Sequence, residues 1–221
     1  MRMILSFTEE NYLKALLKIT LEHESKSAGT NELATSLSLK PATVNDMLKK
    51  LKEKQCIAYE KYGKITLTDL GEKHAWGIVR KHRLWETFLF EKLDFTWDEV
   101  HEVAEQLEHI QSSKLMDRLD QFLGYPEFDP HGDPIPTMKG EVKVRYKKTL
   151  AELEPGHTCK VAAVRDNSSS FLQYVVKLGL KLKSEVKVIS VQEFDGMMQL
   201  EAEGKISTVS QKFAQNIFIE E

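Results

Sequence analysis

Within His101-Glu-Val-Ala-Glu105-Gln-Leu-Glu108-His109, two imidazoles and two carboxylates stand at positions i, i+4, i+7 and i+8. On an α-helix those spacings fall on one face. His82 and Glu86 form a second pair, one helical turn apart, some twenty residues earlier. Ligand-type side chains crowded on one stripe would repel and dehydrate each other unless a cation joined them. Imidazole and carboxylate without thiolate suit a hard or borderline divalent ion such as Mn²⁺, Fe²⁺ or Zn²⁺. The bland alternative is a solvated acidic face with incidental histidines. The adjacent Glu108-His109 pair and the second pair at His82 and Glu86 favour the metal.

Such a stripe needs helices to carry it, and the chain supplies them in an order that can be read. Tyr12, Leu13, Leu16, Leu17 and Ile19 recur at helical spacing after Thr8. Ser25 to Gly29 reads as a polar turn, and Thr30 as the cap of a short helix over 31–37. Pro41 suits the first turn of a helix to about Lys54 whose inner face is Val44, Met47, Leu48 and Leu51. Residues 57–60 and 64–67 are β-prone and flank Tyr62-Gly63, which predicts a small hairpin. Helix, helix, turn, helix and hairpin is a winged helix-turn-helix order. Thr68 is placed to cap a long helix over about 72–92, and Thr96-Trp-Asp-Glu99 has the form of a capping box for the helix that bears the stripe. A further helix is expected over 113–123.

Four of the six prolines fall in Pro126-Glu-Phe-Asp-Pro-His-Gly-Asp-Pro-Ile-Pro136, which predicts an extended connector after the helices. Beyond Pro155-Gly156 come short β segments at 158–164, 185–192, 197–203, 206–209 and 217–220, with one helix near 169–178. That pattern fits a small SH3-like barrel. The expected fold class is therefore mainly α with a small β part. It comprises a winged helix-turn-helix domain (1–71), a helical domain (72–125), a proline-rich linker (126–154) and an SH3-like β-barrel domain (155–221).

Net charge over 221 residues is only −3 but unevenly spread. Lys40, Lys49, Lys50, Lys52, Lys54, Lys61 and Lys64 outweigh Asp46, Glu53 and Glu60, whereas thirteen acidic residues from Glu86 to Asp133 face only Lys92, Lys114 and Arg118. A basic module followed by an acidic, histidine-bearing one suits a polyanion for the first and a cation for the second. No run of eighteen apolar residues suggests a membrane span, and the first residues lack the pattern of a secretory signal. Cys56 and Cys159 stand alone, which predicts reduced thiols and a cytoplasmic location. An H-E-x-x-H arrangement, a nucleophile elbow and a phosphate-cradling loop are all missing, so a metalloenzyme is the weaker alternative. A metal-trafficking protein is another, but it leaves the winged helix without a role.

Taken in order, Thr8-Glu-Glu-Asn-Tyr-Leu13, Ala42-Thr-Val-Asn45, Arg80-Lys-His-Arg-Leu84, His101-x3-Glu105-x2-Glu108-His109 and His131-Gly-Asp-Pro-Ile-Pro136 resemble the diphtheria toxin repressor family of metal-dependent transcriptional regulators. The likeness runs the whole length, the C-terminal part resembling an FeoA-like domain. It implies a homodimeric repressor of metal-uptake genes that binds double-stranded operator DNA, with the helical domain serving dimerisation. It further implies a primary metal site of Asn11, Glu105, Glu108 and His109 and an ancillary one of His82, Glu86 and His101. Asp129 and His131 stand where some members place a second site, and Asp166, Asn167 and Ser170 are weak matches to ligands from the last domain. Glu105 occupies the position of a cysteine in the iron branch, which tilts the choice to Mn²⁺ over Fe²⁺, with Zn²⁺ or Co²⁺ able to bind in vitro. Asn11 and Lys14 replace acidic residues of the manganese branch, which argues against a closely coupled two-manganese cluster.

On the DNA side, the helix from Pro41 is expected to enter the major groove. Ala42, Thr43, Asn45 and Asp46 would meet base edges or phosphates. Lys49 and Lys50 on the helix, with Lys61 and Lys64 in the wing, would supply phosphate attraction.

Overall fold

The computed structural model describes residues 4–59, 63–138, 140–142 and 148–220. It divides into two compact units. The first comprises the chain up to His82 together with Leu107–Ser112 and Pro136–Glu141. The second comprises Arg83–Gln106, Ser113–Ile135 and the chain from Val142 onward.

In the first unit, α1 (Phe7–Glu22) begins two residues earlier than the sequence suggests. Ser6 caps it, accepting from the Glu9 amide while Glu9 Oε2 accepts from the Ser6 amide at 2.7 Å. These reciprocal bonds satisfy two amides that a helix start leaves open. Ser27–Gly29, expected as a turn, is a strand (β1) that pairs antiparallel with β3 (Lys64–Leu67). The other neighbour of β3 is β2 (Ile57–Tyr59), giving the order β1-β3-β2. Three residues with one buried side chain, Ala28, leave too short a pattern to read as a strand, and the edge of β3 supplies the missing partner. Between them lie α2 (Thr30–Ser36) and α3 (Pro41–Glu53). One apolar core gathers Leu13, Leu16 and Leu17 of α1, Leu33 of α2, Val44, Leu48 and Leu51 of α3, and Ile65 of β3. Helix α4 (Asp69–Leu93) starts where Thr68 Oγ1 accepts from the Gly71 amide at 3.1 Å. Gly71 is forced by proximity, because a Cβ there would stand 1.9 Å from the Cys56 carbonyl. The wing residues Lys61 and Tyr62 lie outside the described residues.

The second unit holds the rest of α4, then α5 (Val100–Leu107, its last residue excepted) and α6 (Ser113–Phe122). Its β part is a five-stranded antiparallel sheet in the order β7-β6-β5-β4-β8. The strands are β4 (Thr158–Val164), β5 (Glu185–Val191), β6 (Met198–Ala202), β7 (Lys205–Val209) and β8 (Ile217–Glu220). Helices α7 (Ser169–Lys177) and α8 (Gln211–Ala214) cover its core of Val161, Leu172, Val175, Val186, Leu200 and Phe213. This is the small barrel-like sheet that the spacing predicts.

The proline-rich stretch departs from expectation. Rather than running extended, it folds back on itself. The Asp129 amide donates to the Asp133 carbonyl, the Ile135 amide donates to the Glu127 carbonyl, and Phe128 bridges Pro134. Gly132 permits this with φ +87°, and a Cβ there would lie 2.3 Å from the Ala162 carbonyl. Nor do residues 148–154 belong to a connector. Leu150 and Leu153 are buried in the C-terminal core, Thr149 bridges Phe218, and Thr149 and Glu152 close a capping box over a short 3₁₀ turn.

Candidate metal centre

The first unit assembles one carboxylate–imidazole group from three stretches of chain. Helix α5 stops at Leu107, so Glu108 and His109 sit in a turn closed by the Ile110 amide on the Leu107 carbonyl, not on a continuous helical stripe. Tertiary partners take both side chains. His82 Nδ1 meets Glu108 Oε2 at 2.5 Å, and His109 Nδ1 meets Glu10 Oε2 at 2.5 Å. The other Glu10 oxygen accepts from Gln111 Nε2 at 2.7 Å, and Lys81 Nζ lies 3.8 Å from it. Phe7 stacks on the His109 ring with centroids 4.7 Å apart. Lys14, one turn beyond Glu10, donates to both Glu108 oxygens at 2.7 and 3.0 Å, and its Nζ is 3.4 Å from His82 Nδ1. Burial pushes the Glu108 carboxyl up, but hydrogen bonding to His82 and the charge of Lys14 outweigh this and hold it below its usual range. Lys81 is pushed down by burial, against the pull of Glu10 and Glu108.

The first-helix member of this group is Glu10, not Asn11. Asn11 is exposed, one residue further round α1, while Glu10 is buried beside the helix's core face. Periodicity carries this signal. Asn11 shares its face with the exposed Lys18 seven residues on, whereas Glu10 lies three residues before Leu13 and seven before Leu17, both buried. Glu105, expected beside Glu108 and His109, is 54% exposed at its side chain and pairs instead with His101, Oε1 to Nε2 at 3.5 Å.

The second unit assembles another group. Glu86 on α4 accepts from His101 Nδ1 at 3.2 Å. Between its two carboxylate partners, Glu105 and Glu86, the His101 imidazole is raised to about 9 despite its burial. Ligand atoms of Glu86, Asp129 and His131 lie within 4.8 Å of one another, and all three residues are buried. The folded-back proline turn aims them. Asp129 Oδ1 accepts from the amides of His131 and Asp133, both at 2.9 Å. His131 Nε2 sits 3.0 Å from the Trp97 carbonyl, which can only accept, so Nε2 carries the proton and the lone pair of the neutral ring is on Nδ1. Among the described residues, Asp129 Oδ2 and His131 Nδ1 have no hydrogen-bond partner. Arg83 stands 3.6 Å from Asp129 and 3.5 Å from Asp133. Burial, with Asp133 and Glu86 nearby, still drives the Asp129 carboxyl well above the usual range. A buried carboxylate oxygen and an imidazole lone pair, both without a hydrogen bond among the described residues, fit a divalent cation. Asp166 and Ser170 line an open hollow with Tyr174 and Lys212 in the same unit.

Helix α3 leaves the residues expected to meet DNA on its exposed side. Ala42, Thr43, Asn45, Asp46, Lys49 and Lys50 are exposed, and Val44, Leu48 and Leu51 are buried. Asp46 is paired with Lys49 at 3.0 Å, and Lys64 is exposed on β3. Lys54, at the end of α3, points elsewhere: it donates to Glu9 at 2.8 Å and to the Ile4 carbonyl at 3.2 Å. Lys61 lies outside the described residues.

Residues 4–65 match the family described as iron dependent repressor, N-terminal DNA binding domain, and residues 68–137 its metal binding and dimerisation domain. Residues 148–221 match the FeoA domain. An HTH-type transcriptional regulator of Methanocaldococcus jannaschii is 35% identical over 114 residues, covering 52% of this chain and 90% of that protein. A probable metal transport system membrane protein of Chlamydia trachomatis is 46% identical over 71 residues, which is 32% of this chain and only 16% of that longer protein. A solved manganese-dependent transcriptional repressor in complex with manganese superimposes with a TM-score of 0.82 at 36% identity, covering 96% of this chain and 98% of that one. With both the domain order and the length of the repressor matched, this chain belongs to the diphtheria toxin repressor family of metal-dependent transcriptional regulators.

Proposed function

We propose that this chain is a metal-dependent repressor that binds operator DNA as a homodimer and controls metal-uptake genes. The observation that carries the reading is the buried Glu86–Asp129–His131 group, in which Asp129 Oδ2 and His131 Nδ1 have no hydrogen-bond partner among the described residues. Such a group is costly without a cation, and nothing in it resembles catalytic machinery. Glu86, Asp129 and His131, with His101 beside Glu86, would hold one divalent ion. Glu10, His82, Glu108 and His109 would hold another. Bound there, the metal supplies positive charge that joins carboxylates which otherwise repel.

What the chain's own residues do follows from where they sit. Glu10 ties α1 to the turn at Glu108 and His109. Helix α1 shares an apolar core with α3, whose exposed face bears Thr43, Asn45, Lys49 and Lys50. Fixing α1 therefore restricts how α3 is presented, a population shift toward the DNA-competent arrangement. The donors favour Mn²⁺, with Fe²⁺ second: all are nitrogen or oxygen, and Cys56 and Cys159 are buried in the two apolar cores.

The test is selection from a random pool of DNA duplexes by the metal-free full chain, run anaerobically with Mn²⁺, Fe²⁺, Zn²⁺ or chelator. Enrichment of one sequence with Mn²⁺ and none with chelator is the expected outcome. Equal enrichment with and without metal would sink the reading.

A further inference from the structure

Lys14 places a positive charge inside the first carboxylate–imidazole group. It stands one helical turn after Glu10, so both side chains leave α1 on the same face. Its ammonium engages both oxygens of Glu108, at 2.7 and 3.0 Å, and lies 3.4 Å from His82 Nδ1. Glu108 is 1% exposed and Lys14 22%, so the pair is shielded from water on the carboxylate side. His82 Nδ1 already occupies one of the same oxygens at 2.5 Å. A cation cannot reach Glu108 without taking the position that the ammonium holds.

We propose that Lys14 is a tethered competitor of the metal at this centre. Divalent metal enters only by displacing the Lys14 ammonium from Glu108, and the concentration at which the protein responds is set by that exchange. The inference rests on the functional reading above and adds the residue that sets its threshold. In the metal-free protein the same ion pair joins α1 to the turn at Glu108, so Lys14 also stabilises that state. Both effects push the response toward higher metal.

The experiment is a calorimetric titration of the metal-free full chain with Mn²⁺, using wild type, Lys14→Met, Lys14→Gln and Lys14→Arg. Each is repeated in a Glu108→Gln background, and each metal-free protein is also melted. Lys14→Met and Lys14→Gln should bind Mn²⁺ tighter than wild type by at least about threefold, the scale of one partly shielded ion pair. Their metal-free forms should melt lower. Lys14→Arg, which keeps the cation, should stay close to wild type. In the Glu108→Gln background the gain should vanish, because the contested carboxylate is gone. Unchanged or weaker Mn²⁺ binding by folded Lys14→Met and Lys14→Gln would overturn the proposal alone, as would a gain that persists with Glu108→Gln. Wild type that takes up no Mn²⁺ would overturn the functional reading and the proposal with it.

Discussion

Asp129 shows most sharply how one side chain can be wrong for the metal-free protein and right for the metal. Its Oδ1 is satisfied by two backbone amides, while the buried Oδ2 has no hydrogen bond among the described residues and only Arg83 Nε, 3.6 Å away, as an opposite charge. Replacement by Asn keeps the shape and the acceptor for those amides but removes the charge. Asp129→Asn should therefore make the metal-free protein more stable, by about 1 kcal/mol or more, since burial penalises the ionised carboxyl and an amide carries no such penalty. It should also lose most of the stabilisation that Mn²⁺ gives through binding only the folded state. Thermal melting with chelator and with excess Mn²⁺ reads both effects. A lower metal-free melting temperature combined with an undiminished Mn²⁺ shift would mean that Asp129 is only a turn-former. The sequence brought Asp129 and His131 forward through family resemblance. What it could not display is the fold-back that buries them, because the hydrogen bonds closing it are specified by backbone geometry around Gly132.

Among the elements, α1 reaches several partners from its first turn. Consecutive residues in its first turn reach different neighbours: Glu9 meets Ser6 and Lys54, the end of α3, and Glu10 meets His109 and Gln111. Burial pushes the Glu9 carboxyl up, but bonds from Lys54 and Ser6 prevail and hold it below its usual range. A depressed folded-state value means the Glu9 contribution is complete above the ordinary carboxylate range and is lost as pH falls through the folded value. Glu9→Ala should cost about 1–2 kcal/mol at neutral pH, combining half a capping box with a charge-assisted bond. Ser6→Ala, which removes only the cap, should cost less. Urea unfolding at neutral pH and again in acid measures this. A Glu9→Ala penalty that does not shrink in acid would assign the loss to packing instead. The periodicity of α1 was legible from Tyr12 to Ile19, but its start was not, because Thr8 is as good a cap on paper as Ser6. Which of the two is used depends on where Glu9 finds Lys54, forty-five residues away.

At the scale of the whole molecule, an apolar surface remains on the helical part of the second unit. Phe90 and Leu93 of α4, Leu115 and Phe122 of α6, and Tyr125 just beyond are all exposed, Phe122 and Tyr125 to 64% and 65%. Exposed apolar side chains of that kind suit self-association by a two-fold axis. Phe122→Lys should shift the protein from dimer to monomer in sedimentation and abolish metal-dependent operator binding, while leaving Mn²⁺ uptake by each chain in place. A dimer that survives Phe122→Lys would place the interface on another surface.

The order of elements, the α3 face and the β pattern of the C-terminal part are all readable from the chain itself. They rest on spacings of two, three and four residues and on caps next to them in sequence. The donor types were readable for the same reason, since chemistry belongs to the residue. Their grouping was not. His82 meets Glu108 across 26 residues, Lys14 meets Glu108 across 94, and Glu10 meets His109 across 99. Those long-range pairings end α5 before Glu108 and put Glu10 where Asn11 was expected, while Glu105 stays with His101, four residues before it on its own helix. One residue's step around a helix turns a side chain by about 100°. Only packing against the rest of the molecule decides which of two neighbours points inward.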